Sequence, residues 1–156
     1  MAQEIERKFL VNRQLLILPE NGQRIVQGYI KTQSRTAVRV RIKGDRGFLT
    51  IKGENRGAVR SEFEYEIPLA DAEAMLGELC AKPIIDKIRY EIPFGAHLWE
   101  LDVFTGDNEG LWVAEVELGA ECESFEKPVW LGEEVTGDKR YYNSSLIEHP
   151  YSTWKD

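Results

Sequence analysis

The sequence predicts a mainly β protein with a few short helices (α+β): an eight-stranded antiparallel β-barrel tunnel with a charged interior and helices packed outside. Three observations lead to this fold class. Eight segments alternate apolar and charged residues at the two-residue period of a β-strand. Turn residues separate most neighbouring segments, which favours antiparallel pairing. Eight strands are also enough for a sheet to close into a barrel whose interior side chains can fill.

The first predicted strand, residues 3–10, places Glu4, Glu6 and Lys8 on one face, because side chains alternate between the two faces of a strand. Two carboxylates and an ammonium group therefore line one side, and apolar side chains line the other. A charged face of this kind on a single strand usually contacts water. Its meaning therefore depends on whether the other strands repeat the pattern.

A short helical segment is expected within residues 12–18, with Asn12 as its N-cap. The second predicted strand, residues 24–31, carries Tyr29 and Lys31 on the same polar face. This face therefore combines a phenol with an ammonium group.

The third predicted strand, residues 37–43, shows the alternation most clearly, since Arg39, Arg41 and Lys43 oppose three β-branched side chains. A hairpin turn is expected at residues 45–47, where a glycine can supply the positive φ that a tight turn needs. The returning strand should then lie antiparallel to the basic one.

That returning strand, residues 48–52, carries Lys52 on its polar face, and the next strand, residues 60–67, is acidic at Glu62 and Glu64. A polar, glycine-containing loop separates the two strands. Positive and negative charges are therefore concentrated on different strands.

A helix is expected over residues 72–80, with Asp71 as its N-cap. Leu76 and Leu79 belong to an apolar stripe at helical spacing, which is typical of packing against a core. This helix can cover apolar strand faces from outside the barrel.

Three further strands are predicted over residues 84–94, 97–104 and 111–119, and two short helices over residues 125–131 and 144–149. The charged faces of these strands carry Lys87, Arg89, Glu91, Glu100, Asp102, Glu115 and Glu117.

The charged faces of all these strands are predicted to point into the barrel, because the apolar faces are large and the helices can cover them. Charges cannot be buried in a dry core, since each one costs several kcal/mol even when it is paired. The interior is therefore predicted to be a wet tunnel with an occupant. The proposed lining is Glu4, Glu6, Lys8, Arg39, Arg41, Lys43, Lys52, Glu62, Glu64, Glu66, Lys87, Arg89, Glu91, Glu100, Asp102, Glu115 and Glu117.

A polyanion together with divalent cations would satisfy both kinds of charge in this lining. Guanidinium groups match phosphate oxygens in a two-point geometry, and carboxylates with open water positions suit Mg²⁺ or Mn²⁺. An alternative stays open: the same alternation arises in a sheet with an apolar inner face and a solvated outer one. The segregation of basic and acidic residues on different strands favours the tunnel, because a surface selected for solubility mixes the two signs.

Composition restricts the class of protein and its partners. The net charge of −7 argues against general binding to nucleic acid or to an acidic membrane surface. The first residues do not resemble a signal peptide, and no apolar run is long enough to span a membrane. Cys80 and Cys122 are isolated in the sequence, which suits a reducing compartment. A cytoplasmic protein is therefore expected.

The E-x-E-x-K pattern of Glu4, Glu6 and Lys8 resembles the N-terminal signature of CYTH domains, the triphosphate tunnel metalloenzymes. The resemblance covers nearly the whole chain, so that residues 1–156 are expected to form a single CYTH-like tunnel domain. It continues through Arg39-Val40-Arg41, Thr50-Ile51-Lys52-Gly53, Glu62-Phe63-Glu64-Tyr65-Glu66, Lys87-Ile88-Arg89-Tyr90, Glu100-Leu101-Asp102, Ala114-Glu115-Val116-Glu117, Trp130-Leu131-Gly132 and Gly137-Asp138-Lys139-Arg140-Tyr141.

The resemblance implies a metal-dependent triphosphatase that uses Mg²⁺ or Mn²⁺, with two ions expected. It implies catalytic roles for Glu4, Glu6, Lys8 and Tyr29. It implies that the phosphate chain is bound by Lys8, Arg39, Arg41, Lys52, Lys87 and Arg89. It implies that the metal is held by Glu4, Glu6, Glu62, Glu64, Asp102, Glu115 and Glu117.

The substrate that we expect is inorganic tripolyphosphate, which would be cleaved to pyrophosphate and phosphate. No insertion offers a pocket for a base, and the aromatic residues expected on the lining are Tyr29 and Phe104. A class IV-type adenylyl cyclase, a thiamine triphosphatase and a non-catalytic polyphosphate-binding module stay open as alternatives. The expected partner is a small triphosphate, without nucleic acid or membrane, and both a monomer and a homodimer stay open.

Overall fold

The computed structural model describes residues 3–54 and 56–154. Nine strands lie within these ranges: β1 Gln3–Val11, β2 Gln23–Ile30, β3 Ala37–Lys43, β4 Arg46–Lys52, β5 Val59–Ile67, β6 Ile85–Phe94, β7 His97–Phe104, β8 Trp112–Glu117 and β9 Leu131–Glu134. The two α-helices are α1 Leu69–Glu78 and α2 Asn143–Glu148. Short 3₁₀ turns occur at Arg13–Leu15, Gly106–Asn108, Lys139–Tyr141 and Tyr151–Thr153.

Strands β1 to β8 form a closed antiparallel barrel, which confirms the predicted fold class. Around the barrel the strands follow the order β1, β5, β4, β3, β2, β6, β7, β8 and back to β1. The closing pair is β1 with β5, where Glu4 lies opposite Arg60. Strand β9 pairs further along the same edge of β1 as β5, where Phe9 lies opposite Glu134, and β8 pairs with the other edge.

The barrel has its charged faces inside and its apolar faces outside, as the sequence predicts. On β3, Val40 is fully buried against Ala72 and Leu76 of α1, outside the barrel. Arg39 and Arg41 alternate with Val40 and therefore point inward, where they are 5% and 9% exposed. The alternative of a charged face turned to bulk solvent is wrong for these residues.

Helix α1 packs on β3 and β4, but its start differs from the prediction. It begins at Leu69 with Pro68 at the N-cap position, and Asp71 lies in its first turn rather than capping it. The fixed φ of proline suits a helix start. The close approach of α1 to β4 depends on Gly47, because a Cβ at this position would lie 2.7 Å from the Cβ of Ala72.

The β3–β4 hairpin turns one residue earlier than expected. Lys43 pairs with Arg46, so the two-residue turn consists of Gly44 and Asp45. Gly44 has a φ of 63°, which a glycine adopts without steric cost. Gly47 instead belongs to β4 and faces α1.

The predicted helix over residues 125–131 is wrong. This segment is a loop that leads into β9 and covers the outer faces of β1, β7 and β8. Trp99 packs edge-on against Phe125 and Trp130 with ring centroids 5.8 Å apart in both pairs. Aromatic packing therefore covers this side of the barrel in place of a helix.

The C-terminal segment closes one end of the barrel, and α2 occurs close to the predicted position. Leu146 and Ile147 of α2 pack with Ile85, Phe104 and Val113. These strand residues share the inward-facing parity of the charged positions, so the lining changes from charged to apolar at this end. We call this apolar cluster the plug.

Candidate active site

The barrel encloses a polar cavity of about 280 Å³. Each of the eight barrel strands, β1 to β8, contributes at least one side chain to the wall of this cavity. The wall consists of Glu4, Glu6, Lys8, Tyr29, Arg39, Arg41, Lys43, Lys52, Gly57, Arg60, Glu62, Glu64, Lys87, Arg89, Glu100, Glu115, Glu117, Thr136, Gly137, Tyr142, Asn143 and Ser144.

Acidic and basic side chains occupy opposite arcs of the wall. Strands β8, β1 and β5 are consecutive around the barrel and carry most of the wall carboxylates. Strands β3, β2 and β6 are consecutive on the other side, and β3 and β6 carry the basic residues Arg39, Arg41, Lys87 and Arg89. The order of the strands therefore gathers charges of one sign that are distant in sequence.

The basic arc contains two arginines whose guanidinium groups are only partly paired within the described part of the chain. Arg39 donates through Nη2 to Thr50 Oγ1 and to Glu64 Oε2, each at 3.2 Å, but its buried Nε has no hydrogen-bond partner in the described part of the chain. Arg41 donates from Nε to Gln27 Oε1 at 2.7 Å and forms no ion pair with any described residue. A buried donor without a partner is costly, so these groups suit an anionic ligand.

The environment of Arg41 lowers its pKa to about 9, first because burial disfavours the charged form and then because Arg39 and Arg89 repel it. Burial is also the main cause that lowers the pKa of Lys87 to about 7. Crowding of desolvated cations is unfavourable until an anion joins them. Binding of an anion would therefore stabilise the charged forms of Arg41 and Lys87 in the basic arc.

Asp102 lies behind the basic arc and not on the cavity wall. It is 2% exposed, accepts from Arg89 Nε at 2.7 Å and Nη2 at 2.9 Å, and accepts from Lys87 Nζ at 2.7 Å. Burial alone would raise its pKa, but Arg89 and Lys87 hold it well below the usual range. Asp102 therefore stays ionised and holds two cations of the wall in place.

The acidic arc contains more carboxylates than its cations can neutralise. Burial raises the pKa of Glu6 well above its ordinary value, and the neighbouring Glu115 and Glu4 add to this rise. Burial also opposes ionisation of Glu115, but Lys8 and a hydrogen bond with Glu6 lower its pKa to about 2. The two neighbouring carboxyl groups are therefore shifted in opposite directions, with protonation favoured at Glu6 over Glu115.

Lys52 connects two strands of the acidic arc. Its Nζ lies 3.1 Å from Glu4 Oε1 and 3.4 Å from Glu62 Oε2. The pKa of Glu117 is raised by burial and then by repulsion from Glu4 and Glu62. The ammonium group of Lys52 therefore pairs with two carboxylates, and the carboxylates of this group still repel one another.

The structure brings most of the sequence-predicted site residues to one wall, and four do not reach it: Glu66, Glu91, Asp102 and Phe104. Glu66 and Glu91 are exposed, and Glu66 pairs with Arg46. Glu64 does lie on the wall, where it pairs with Arg39 of β3 at 3.2 Å. Phe104 lies in the plug and not on the wall.

Sequence reasoning missed the part of the wall that the C-terminal segment supplies. Thr136, Gly137, Tyr142, Asn143 and Ser144 all line the cavity. They lie in a short, polar stretch without strand or helix periodicity. The available signal was the family resemblance of Gly137-Asp138-Lys139-Arg140-Tyr141, which places this stretch within the domain but does not identify wall residues.

The acidic arc fits divalent cations by its chemistry. No group of three or more His, Cys, Asp or Glu among the described residues converges closely enough to enclose an ion by itself. The arc does offer oxygen donors: burial first, and then mutual repulsion, raises the pKa of Glu6 and of Glu117, and a cation would favour their charged forms. Ligand and water oxygens would complete such a coordination shell, as Mg²⁺ sites commonly require.

Fold and wall together define a class of protein, namely a closed antiparallel barrel that presents opposed acidic and basic arcs to a small polar ligand. The chain belongs to the CYTH domain family, whose model matches residues 2–151. None of the helices in the described part of the chain has the length and apolar character needed to cross a membrane.

Relatives with this fold are named as triphosphatases. The chain is 47% identical over 156 residues to an inorganic triphosphatase from Acetivibrio thermocellus, covering 100% of both chains. It is 40% identical over 151 residues to an inorganic triphosphatase from Nitrosomonas europaea, covering 92% of this chain and 95% of the relative. The crystal structure of an inorganic triphosphatase aligns with a TM-score of 0.65 at 36% identity, covering 94% of this chain and 95% of the other.

Proposed function

We propose that this protein hydrolyses inorganic triphosphate to pyrophosphate and phosphate. One observation carries the proposal most directly: the basic arc holds the buried, unpartnered Nε of Arg39 beside Arg41, a cation without an ion pair among the described residues. Unsatisfied buried donors cost about 1–3 kcal/mol each, and both arginines lie on the cavity wall, where a ligand can reach them. A chain of phosphates supplies the acceptors that they lack.

The basic arc would hold the phosphate chain. Arg39, Arg41 and Arg89 offer guanidinium groups, which match phosphate oxygens in two-point geometry, and the lysines add point charge. The predicted set for phosphate binding is Lys8, Arg39, Arg41, Lys52, Lys87 and Arg89, all of which lie on the wall. Such fixed donors place the terminal phosphorus without reorganisation during the reaction.

The acidic arc would hold Mg²⁺ or Mn²⁺, with two ions proposed. The proposed ligands, which would bind the ions directly or through water, are Glu4, Glu6, Glu62, Glu64, Glu115 and Glu117. The metal-binding role of Asp102 stays a prediction from the sequence, and its contacts with Arg89 and Lys87 favour a role in positioning these two cations. A bound divalent ion supplies positive charge for the phosphate oxygens and makes a water molecule more acidic.

In the proposed reaction, the oxygen of water bonds to a terminal phosphorus while the P–O bond to the bridging oxygen breaks and pyrophosphate leaves. Lys8 would hold the charge that develops on the leaving group, because β1 places its ammonium group on the wall within the acidic arc, 3.7 Å from Glu115 Oε2. Tyr29 lies on the same wall and is proposed as an acid–base group.

A small inorganic substrate suits the size and polarity of the cavity. A volume of about 280 Å³ with a strongly polar wall leaves little apolar surface for a base or a thiamine ring. Tyr29 and Tyr142 are the aromatic residues of the wall among the described residues. The names of the relatives agree with an inorganic substrate.

Phosphate release should be assayed with inorganic triphosphate, ATP, thiamine triphosphate and pyrophosphate, each with Mg²⁺ and with Mn²⁺. We expect inorganic triphosphate to have the highest kcat/KM. A kcat/KM for ATP more than tenfold higher would overturn this choice of substrate. Formation of cyclic AMP from ATP, or tight binding without turnover in either ion, would assign the site to a cyclase or to a binding module. A cytoplasmic location and a single domain over residues 1–156 stay predictions.

A further inference from the structure

The C-terminal segment supplies hydrogen-bond acceptors to two lysines that belong to different strands. Lys8 Nζ on β1 donates to the backbone oxygen of Tyr141 at 3.2 Å. Lys87 Nζ on β6 donates to Asn143 Oδ1 at 2.9 Å. Both acceptors lie within three residues of each other, where the 3₁₀ turn Lys139–Tyr141 leads into α2. The same short segment therefore contacts both sides of the cavity.

Asn143 also connects to Arg41 through a buried amide. Gln27, which is fully buried, donates from Nε2 to Asn143 Oδ1 at 2.8 Å and accepts from Arg41 Nε at 2.7 Å. Asn143 Oδ1 therefore accepts from both Gln27 and Lys87. This network joins two cations of the basic arc to the C-terminal segment without a carboxylate.

The neutrality of these acceptors matters for the charge of the wall. A carboxylate that fixed Lys87 from the cavity side would cancel the positive charge that a phosphate needs, and an amide oxygen does not. Lys87 has three donors, of which Asp102 and Asn143 take two, so one donor is left for a ligand. The amide thus fixes the direction of the ammonium group and preserves its charge.

We propose that Asn143 is a positioning residue of the substrate site, which holds Lys87 directly and Arg41 through Gln27. This inference rests on the proposed function, because it assumes that these cations bind the phosphate chain. Holding a lysine in place before binding avoids part of the loss of side-chain entropy that an unrestrained lysine would undergo with the ligand. Asn143 therefore acts on affinity more than on the chemical step.

The test is a double-mutant cycle with Asn143→Leu, Lys87→Met and the double variant. Asn143→Leu removes the acceptor but keeps a similar volume. The readouts are kcat and KM for inorganic triphosphate, the calorimetric Kd for inorganic triphosphate without metal, and Tm. Ser145→Ala is the matched control, because Ser145 lies on the same helix but not on the cavity wall.

We expect Asn143→Leu to raise KM and Kd about tenfold with a change in kcat of less than about threefold, and Ser145→Ala to match the wild type. In the Lys87→Met background the same change should have a smaller effect, of about threefold or less, since the group that Asn143 holds directly is absent and only Arg41, held through Gln27, is still affected. If Asn143→Leu is too unstable to purify, Asn143→Ser, which retains an acceptor oxygen, should give a smaller rise in the same two constants.

Two results would overturn the inference. Either Asn143→Leu binds inorganic triphosphate as the wild type does, or its loss of affinity is undiminished in the Lys87→Met background. Failure of the proposed function has a different signature: the wild-type protein itself would neither hydrolyse nor bind inorganic triphosphate.

Discussion

Asp102 accepts hydrogen bonds from Arg89 through both carboxylate oxygens, 2.7 Å from Nε and 2.9 Å from Nη2. This is the paired geometry in which a guanidinium group and a carboxylate interact most strongly. Lys87 adds a third contact to the same carboxylate at 2.7 Å. The site therefore fixes two of its cations with one buried anion, and the interior of the barrel serves both stability and binding.

Asp102→Asn should destabilise the fold by about 3 kcal/mol or more, because removing one partner of a buried ion pair leaves charge without compensation. The measurement is the free energy of unfolding from a urea titration. Asp107→Asn, in the exposed turn Gly106–Asn108, should change it by less than about 0.5 kcal/mol. If Asp102→Asn left stability intact and instead shifted the metal concentration for half-maximal turnover, Asp102 would be a metal ligand as the sequence predicts.

Arg41→Ala should act mainly through substrate affinity, since Arg41 has no ion pair among the described residues and offers its charge to the cavity. We expect KM for inorganic triphosphate to rise at least about tenfold, with a smaller effect on kcat. Steady-state phosphate release measures both constants. Arg46→Ala provides the comparison, because Arg46 is exposed and paired with Glu66, and it should leave both constants unchanged. Equal effects from the two arginines would contradict this role of Arg41.

Glu117→Gln should lower turnover at least about a hundredfold and raise the metal concentration needed for half-maximal rate, because it removes a carboxylate that the acidic arc offers to a cation. Glu4→Gln should behave in the same way. Titration of Mg²⁺ and Mn²⁺ at saturating substrate measures the shift. Glu91→Gln is the control, since Glu91 is exposed and absent from the cavity wall. A loss that excess metal fully restores would assign Glu117 to metal affinity alone.

The ion pair of Arg7 with Glu134 joins β1 to β9 and should make stability depend on pH. Arg7 Nη2 donates to Glu134 Oε1 at 2.8 Å, and this hydrogen bond is the main reason that the pKa of Glu134 is lowered. A carboxyl group with a lowered folded-state pKa stabilises the fold above its unfolded pKa, and the contribution is lost as the pH falls through the folded value.

Glu134→Gln should therefore cost at most about 1 kcal/mol at pH 7, since both side chains are partly exposed. The difference from the wild type should be smaller at pH 3, below the ordinary pKa of a glutamate, where the carboxyl group takes up a proton. Urea unfolding at both pH values measures it. A difference that is the same at both would mean that the charge of Glu134 does not contribute.

The sequence predicts the barrel and most of its wall because the relevant signal is local. On β3 the alternation of Val40 with Arg39 and Arg41 assigns each side chain to a face, and the same rule holds on β1 and β8. The alternation does not predict the position of a charged side chain along the barrel axis, nor the residue with which it forms an ion pair. Asp102 has the right parity but lies behind Lys87 and Arg89, where ion pairing keeps it away from the cavity.

The C-terminal contribution has no such local signal. Tyr141 acts through a backbone oxygen, which any residue possesses, and Asn143 belongs to a stretch without periodicity. Strand β9 is short and follows an aromatic loop; its first residue, Leu131, falls in the predicted helix over residues 125–131, and the sequence predicts no strand there. The structure of β9 depends on tertiary contacts with β1, which no window of local sequence contains.

Leu146→Ala tests whether the plug stabilises the barrel. Leu146 is fully buried on α2, where it packs with Phe104 and Val113 from the inward-facing positions of two strands. Removing its side chain should cost about 2–5 kcal/mol, through lost apolar burial and the cavity that is left. Leu79→Ala is the matched control, because Leu79 follows α1 and is 58% exposed, so its truncation should cost less than about 1 kcal/mol. Urea titrations of both variants give the two free energies. Similar costs for the two leucines would mean that α2 rests on the end of the barrel without supporting it, and the tail could not then hold Lys8 and Lys87 in place.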